Sequence, residues 1–183
     1  MQRFQIQQAD LPHYSYQDYK KWDHQWELID GVPFSMFPLP VFKHQKINVK
    51  IVRILDEELE RNGCDECTAM MPIDWKIDEN TIVQPDASII CEGPDGQYIT
   101  NTPKLVFEIL SPSTRKKDLT IKFELYQLEA VKYYCIVDPD NNVATIYQMI
   151  EERYRQVFES QNDTYIFIID DCEVVFDFSK IWK

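Results

Sequence analysis

Two carboxylates lie where an ionised side chain is costly. Asp86 stands in TIVQPDASIIC and Glu108 in KLVFEIL, both apolar runs rich in β-branched residues. A charge in such surroundings costs several kcal/mol unless a cation or a hydrogen-bond network compensates it. Twenty-two positions separate the pair, which leaves room for two strands and the Gly/Pro-rich turn CEGPDGQYITNTP to bring both to one sheet edge. Lys122 follows in DLTIKFELY. Paired carboxylates with a lysine close by make a hard-cation site of the kind that hydrolyses phosphodiesters. Magnesium on Asp86 and Glu108, or manganese in its place, would lower the pKa of a bound water and polarise a phosphoryl oxygen. Lys122 would orient the attacking water or balance charge in the transition state.

Periodicity marks the elements that must position these groups. Ser15 caps a short helix over 16–23, and WELID and VPFSM flank Gly31 as a hairpin that FPLP ends. The spacing of Ile47, Ile51, Leu55 and Leu59 predicts a helix from Val41 to Asn62, stopped by Gly63. His44 sits on or beside that apolar stripe and reads first as a satisfied core residue. Lys43, Lys46, Lys50 and Arg53 share one face of the same helix, a solvated face or a phosphate-contacting one. Strands are predicted at 67–77, 81–91 and 104–110. A helix over 117–130 follows, capped by Ser113 or Thr114, with Leu119, Phe123, Tyr126 and Ala130 on its buried face. Lys122 lies beside that stripe, so its stem can cross apolar surface. The loop SPSTRKK places Arg115, Lys116 and Lys117 at a helix N-terminus, which favours an anion such as a phosphate backbone. VKYYCIVDP and VATIYQMI form a hairpin, and RYRQVFE, TYIFII and EVVFDF are further strands. Residues 1–13 show no period and read as a loose arm.

With 183 residues, 44% hydrophobic and 13% aromatic, the chain fits a single domain over 1–183. It has no leader signature and no apolar run near the ~20 residues that span a bilayer, so a soluble cytoplasmic protein without membrane contact is expected. Cys91 and Cys135, in apolar strand runs, read as buried reduced thiols of a reducing compartment. Cys64 and Cys67 form a CxxC, but no second CxxC or CxxH completes a tetrahedral set, so structural zinc is not expected. There is no GxSxG elbow and no glycine-rich phosphate loop among the four glycines. The net charge of −12 argues against a simple nucleic-acid binder. Between Asp138 and Asp177, however, ten acidic residues face only Arg153 and Arg155. The rest of the chain can carry a basic face if that acidic segment points away from substrate.

The ordered set WELIDG, PDASII, FEILSPST, DLTIKFELY and YYCIVDPD resembles the Uma-two family (domain of unknown function 820), a restriction-endonuclease-like branch of the PD-(D/E)XK nuclease superfamily. The resemblance runs from about Tyr16 to Tyr154, and its order and spacing are far more specific than a lone Pro-Asp pair. It implies an α/β fold with a restriction-endonuclease-like mixed β-sheet core, flanking helices and additional β-hairpins. It implies a magnesium-dependent endonuclease that hydrolyses DNA, with Asp86, Glu108 and the Ile109 carbonyl on the metal. Glu27 matches the family's early glutamate as a further ligand, and Asp118 its acidic position ahead of the lysine. The superfamily lysine two residues after the second acidic position is Leu110 here, and the resemblance moves its role to Lys122. Lys46, Arg115, Lys116 and Lys117 would bind the DNA, and a homodimer is the simplest way for so small a site to cut both strands. The alternative is a catalytically weak or inactive nuclease-fold module that acts through protein or nucleic-acid contacts.

Overall fold

The structure is a computed structural model that describes residues 12–23, 25–37, 41–93 and 96–183. The arm predicted for 1–13 lies almost wholly outside the described residues. Helix α1 (Tyr16–Tyr19) begins where the Asp18 carboxylate accepts from both the Ser15 hydroxyl and the Ser15 amide. Strands β1 (Trp26–Ile29) and β2 (Val32–Ser35) form the expected hairpin. Asp30 and Gly31 both take positive φ in its two-residue turn, the geometry that matches strand twist. Helix α2 (Phe42–Arg61) runs as predicted, with Gly63 at φ 66 just beyond it.

Two predicted strands are each broken. The segment 67–77 divides into β3 (Cys67–Met70) and β4 (Trp75–Lys76), and 81–91 into β5 (Ile82–Val83) and β6 (Ala87–Cys91). The breaks fall at Pro72 and Pro85, which lack the N–H a ladder needs. At Pro85 the chain changes sheets: β5 belongs to a four-stranded sheet ordered β2-β1-β5-β4, and β6 to a six-stranded one. The latter is ordered β10-β9-β8-β7-β6-β3, with β7 (Leu105–Ile109), β8 (Tyr133–Asp138), β9 (Val143–Ile150) and β10 (Arg153–Ser160). Only β7 and β8 pair in parallel among these described strands. A separate hairpin joins β11 (Thr164–Ile169) to β12 (Cys172–Asp177).

The six-stranded sheet is covered on both faces, which is why β6, β7 and β8 are buried along their whole length. Leu105, Phe107 and Ile109 pack with α2 and the β11–β12 hairpin. Val106 and Leu110 pack on the other face with Tyr126, Trp75 and Val83. Glu108 falls in that second register, so strand alternation alone sends its carboxylate toward the layer holding Tyr126 and the small sheet.

The helix predicted over 117–130 is two helices, α3 (Arg115–Leu119) and α4 (Ile121–Leu128), broken at Thr120 with φ −128 and ψ −77. There the Thr120 hydroxyl donates to the Lys116 carbonyl at 2.6 Å, a local bond that competes with regular helix. The predicted buried face shifts accordingly. Tyr126 is buried and Phe123 half-buried, but Leu119 and Ala130 are exposed, and Lys122 is buried instead.

Four of the five cysteines are bonded, Cys64 to Cys172 and Cys67 to Cys91, with Cys135 free and buried in β8. The reading of Cys91 as a reduced thiol is therefore corrected. It stands directly opposite Cys67 in the β3–β6 ladder, a partner that sequence spacing does not reveal. Among the described residues no helix is long and apolar enough to cross a membrane.

Candidate active site

Four acidic side chains from four elements meet at one cavity of about 240 Å³: Glu27 of β1, Asp86 ahead of β6, Glu108 of β7 and Asp118 of α3. The β6–β7 register pairs Ala87 with Phe107. Continued by one residue it sets Asp86 opposite Glu108, with both side chains on the same face. Lys122 enters from α4. Its Nζ lies 2.7 Å from Glu27 Oε1, 2.7 Å from Glu108 Oε1 and 4.0 Å from Asp118 Oδ1. Lys117 binds the other oxygen of Glu27, and the Gln84 amide donates to Glu27 Oε1 at 2.9 Å. Lysines five positions apart would point about 140° apart around an unbroken helix. The break at Thr120 lets Lys117 and Lys122 reach the same glutamate.

Asp86 is fixed from two sides. His44 Nε2 lies 3.1 Å from its Oδ2, and the Ile109 amide donates to the same oxygen at 2.7 Å. Asn48, one turn after His44 on α2, donates to the Asp86 carbonyl at 2.9 Å. The Tyr126 hydroxyl donates to Glu108 Oε1 at 2.7 Å, and Tyr134 donates to the Asp118 carbonyl at 2.9 Å. Both tyrosine hydroxyls are pushed up by burial and then by Glu108, so they stay donors.

The electrostatics divide the carboxylates into two kinds. Burial opposes ionisation of Glu27, but Lys122 and Lys117 outweigh it and hold its carboxyl below the usual range. Burial pushes Glu108 well above that range; Lys122 pulls it down, while Asp118, Asp86 and Glu27 add to the push. Asp118 is raised by burial against the pull of Lys122. Burial works against the Lys122 ammonium, but Glu108, Glu27 and Asp118 hold its proton well above the ordinary lysine range. Burial likewise disfavours a charged His44, yet its bond to Asp86 raises it.

This donor set fits a hard cation. Each of Asp86 and Glu108 has one oxygen tied to protein donors, while Asp86 Oδ1 and Glu108 Oε2 carry no hydrogen bond among the described residues. Orienting a ligand through one oxygen and leaving the other free is the ordinary preparation of a metal-binding carboxylate. Asp118 Oδ1 is buried and likewise has no hydrogen-bond partner. Oxygen ligands of this type suit magnesium or manganese.

A family model described as "Putative restriction endonuclease" and named Uma2 matches residues 15–167. The chain belongs to the Uma2 family. It is 30% identical over 125 residues to the uncharacterized protein slr1290 of Synechocystis sp. (strain ATCC 27184 / PCC 6803 / Kazusa), and the match spans 64% of each chain. The fold is similar to that in the crystal structure of a "putative nuclease belonging to DUF820" from Anabaena variabilis ATCC 29413, with a TM-score of 0.72 at 15% identity, covering 92% of this chain and 97% of that one. The mixed α/β architecture expected from the resemblance is thus the architecture of a Uma2 relative.

Within this Uma2 chain, Glu27, Asp86, Glu108 and Lys122, expected to share one site, line one cavity. Leu110, at the superfamily lysine's usual place, is buried among apolar side chains, and the ammonium of Lys122 reaches Glu108 from α4. His44 is buried and bonded, as the reading of a satisfied core residue expects, and the partner that satisfies it is Asp86 at the cavity. Its position one turn before Asn48 on the stripe of α2 was the available signal. Gln84 and Tyr126 were not identifiable, because nothing in their spacing ties them to Glu27 and Glu108.

The expected substrate-binding set is divided. Lys46 and Lys116 are exposed, but Lys117 is mostly buried on Glu27 and belongs to the cavity. Arg115 pairs with Asp138 at 2.9 Å, and Lys43 reaches the Pro139 carbonyl and lies 3.9 Å from Asp140. The start of the acidic segment therefore sits beside the basic residues of α2 and α3 and does not face away from them. The turn between β8 and β9 follows a strand parallel to β7, so it emerges at the same sheet end as the loop carrying Arg115.

Proposed function

We propose that the protein is a metal-dependent endonuclease that hydrolyses DNA phosphodiester bonds. The observation that carries this reading is the convergence of Asp86, Glu108, Glu27 and Lys122 on one cavity, with a free oxygen on each of Asp86 and Glu108. Magnesium, or manganese, would be held by Asp86 and Glu108 with the Ile109 carbonyl, and when bound would supply Lewis-acid stabilisation and a water of lowered pKa. The chain's own groups do the remaining work. Glu27 anchors Lys117 and Lys122 together, so each ammonium is aimed by a fixed carboxylate. Lys122 orients the nucleophilic water and offsets charge that builds on the phosphoryl oxygens. His44 and the Ile109 amide fix the rotamer of Asp86, and Tyr126 fixes that of Glu108. Exposed Lys46 and Lys116 hold the DNA backbone, with a homodimer presenting two sites to the two strands and the cytoplasm as the place of action.

One observation favours the weak or inactive module. Lys122 and Lys117 already neutralise Glu27, so that carboxylate is stable without a metal. Calorimetric titration with magnesium and manganese separates the readings. The parent should bind, and Asp86→Asn and Glu108→Gln should each lose most of that affinity while keeping a native circular-dichroism spectrum. Unchanged affinity in both variants would remove these residues as metal ligands.

A further inference from the structure

The mouth of the carboxylate cavity carries apolar side chains that hydrolysis itself does not require. Met36 and Val41 line the cavity beside Asp86 and Glu108. One residue further on each side is a phenylalanine, Phe37 at 75% exposed and Phe42 at 84%, with Val41 itself at 66%. Large apolar side chains gathered in water at one place mark a binding surface. Ordered backbone holds these rings out. The Met36 amide donates to the Gln25 carbonyl at 3.1 Å, one step beyond the β1–β2 ladder, and the Phe37 amide to the Ser35 hydroxyl at 3.1 Å. Phe42 is the first residue of α2. From there Phe42, Lys46, Val49 and Arg53 recur at i, i+4, i+7 and i+11, a single stripe on a 3.6-residue helix, and all four are exposed. The stripe opposite, with Ile47, Ile51 and Leu55, is buried in the core. Apolar and cationic side chains therefore alternate along one face of α2, starting at the cavity.

Taking the cavity as the phosphodiester site proposed above, we infer that Phe37 and Phe42 stack on an unpaired base beside the scissile phosphate, so that the preferred substrate is DNA carrying an unpaired nucleotide at the cleavage site. Aromatic rings interleaved with cations are the means by which proteins hold nucleic acid whose bases are free, since every base has a π-face and every phosphate a charge. A purely apolar partner surface would offer Lys46 no counter-charge, whereas a strand of DNA supplies base faces and phosphates in the same alternation. In a perfect duplex each base face is covered by its neighbours, and nothing would meet the rings. Taking a base out of the stack costs least where it is mismatched or unpaired, so the rings favour such a site over regular duplex. Because each ring is one residue beyond the cavity lining, a base held there has its own phosphate at the carboxylates and not a helical turn away.

The test compares a perfect duplex, the same duplex with one bulged nucleotide, and that bulge made abasic. Binding to the full chain is read by fluorescence anisotropy at low salt without divalent metal, so that cleavage does not intervene. The bulged duplex should bind about tenfold more tightly than either of the others. Phe37→Ala combined with Phe42→Ala should erase that difference while binding the perfect duplex as the parent does; both side chains lie in water, so the fold is kept. Phe42→Leu, apolar but without a π-face, should lose most of the preference, and Phe42→Trp should keep it, with the added indole quenched by the bulged base. Equal affinity of the parent for all three duplexes would overturn this substrate class and leave the nuclease reading standing, whereas a parent that binds none of them would overturn both. If the double alanine variant changes the mass in light scattering but not the DNA affinities, the rings are a contact between copies of the chain and the assignment fails.

Discussion

Lys122 is the residue on which the site turns. It is 2% exposed and lies 2.7 Å from an oxygen of each of Glu27 and Glu108. Leaving either carboxylate buried without a counter-charge costs about 3–5 kcal/mol. The balance around it also fixes how the metal-free protein responds to pH. Glu108 and Asp118 are raised above their unfolded values, so the folded state holds protons there that the unfolded chain has released. Their contribution falls as pH rises from about 4 upward. His44 is raised as well, so its contribution is complete below about 6.5 and is lost as pH passes its folded value. All three slopes have the same sign. Melting temperature without metal should therefore decline between about pH 5 and pH 8, and Glu108→Gln should flatten the decline. A melting temperature that rises over this interval would contradict the arrangement of charges described above.

At the scale of elements, α2 and α3 flank the cavity, and Lys46 and Lys116 on them are exposed and make no ion pair among the described residues. Lys46→Glu combined with Lys116→Glu should weaken DNA binding, measured by fluorescence anisotropy across a salt series, and should lower the salt dependence because two phosphate contacts are gone. Metal affinity should not change. Equal binding by the double variant at every salt concentration would show that DNA lies elsewhere. The sequence made most of these elements legible because α2, β7 and β8 carry strong periodicity or unbroken apolar runs. Asp86 and Glu108 were legible for the same reason, since a carboxylate inside such a run needs a partner. What it hid were effects of tertiary placement. Pro85 reads as an irregularity in one strand, whereas it moves the chain from one sheet to another. Thr120 gives no breaker signal, yet its bond to Lys116 redirects α4. Cys91 looks like a buried thiol until β3 places Cys67 opposite it.

For the whole molecule, the outer face of the β11–β12 hairpin exposes three apolar side chains, Ile166 at 48% opposite Val175 at 38%, and Ile168 at 40% opposite Glu173. A two-fold dimer through this face would cover these side chains and present two cavities to a duplex. Light scattering should give twice the chain mass of 21.8 kDa, and Ile166→Lys should halve it; a parent that stays monomeric at all workable concentrations would rule the dimer out. The measurement that bears most directly on the central claim is cleavage of supercoiled plasmid by the parent, Asp86→Asn and Lys122→Ala, each with and without magnesium or manganese. The parent should nick the plasmid only with metal. Asp86→Asn should be inactive, and Lys122→Ala should be slower by on the order of 10² or more while still binding metal, as expected of a group that acts on the transition state. A parent that binds metal and DNA yet leaves the plasmid intact with either ion, or a Lys122→Ala variant that cuts at the parental rate, would contradict the account.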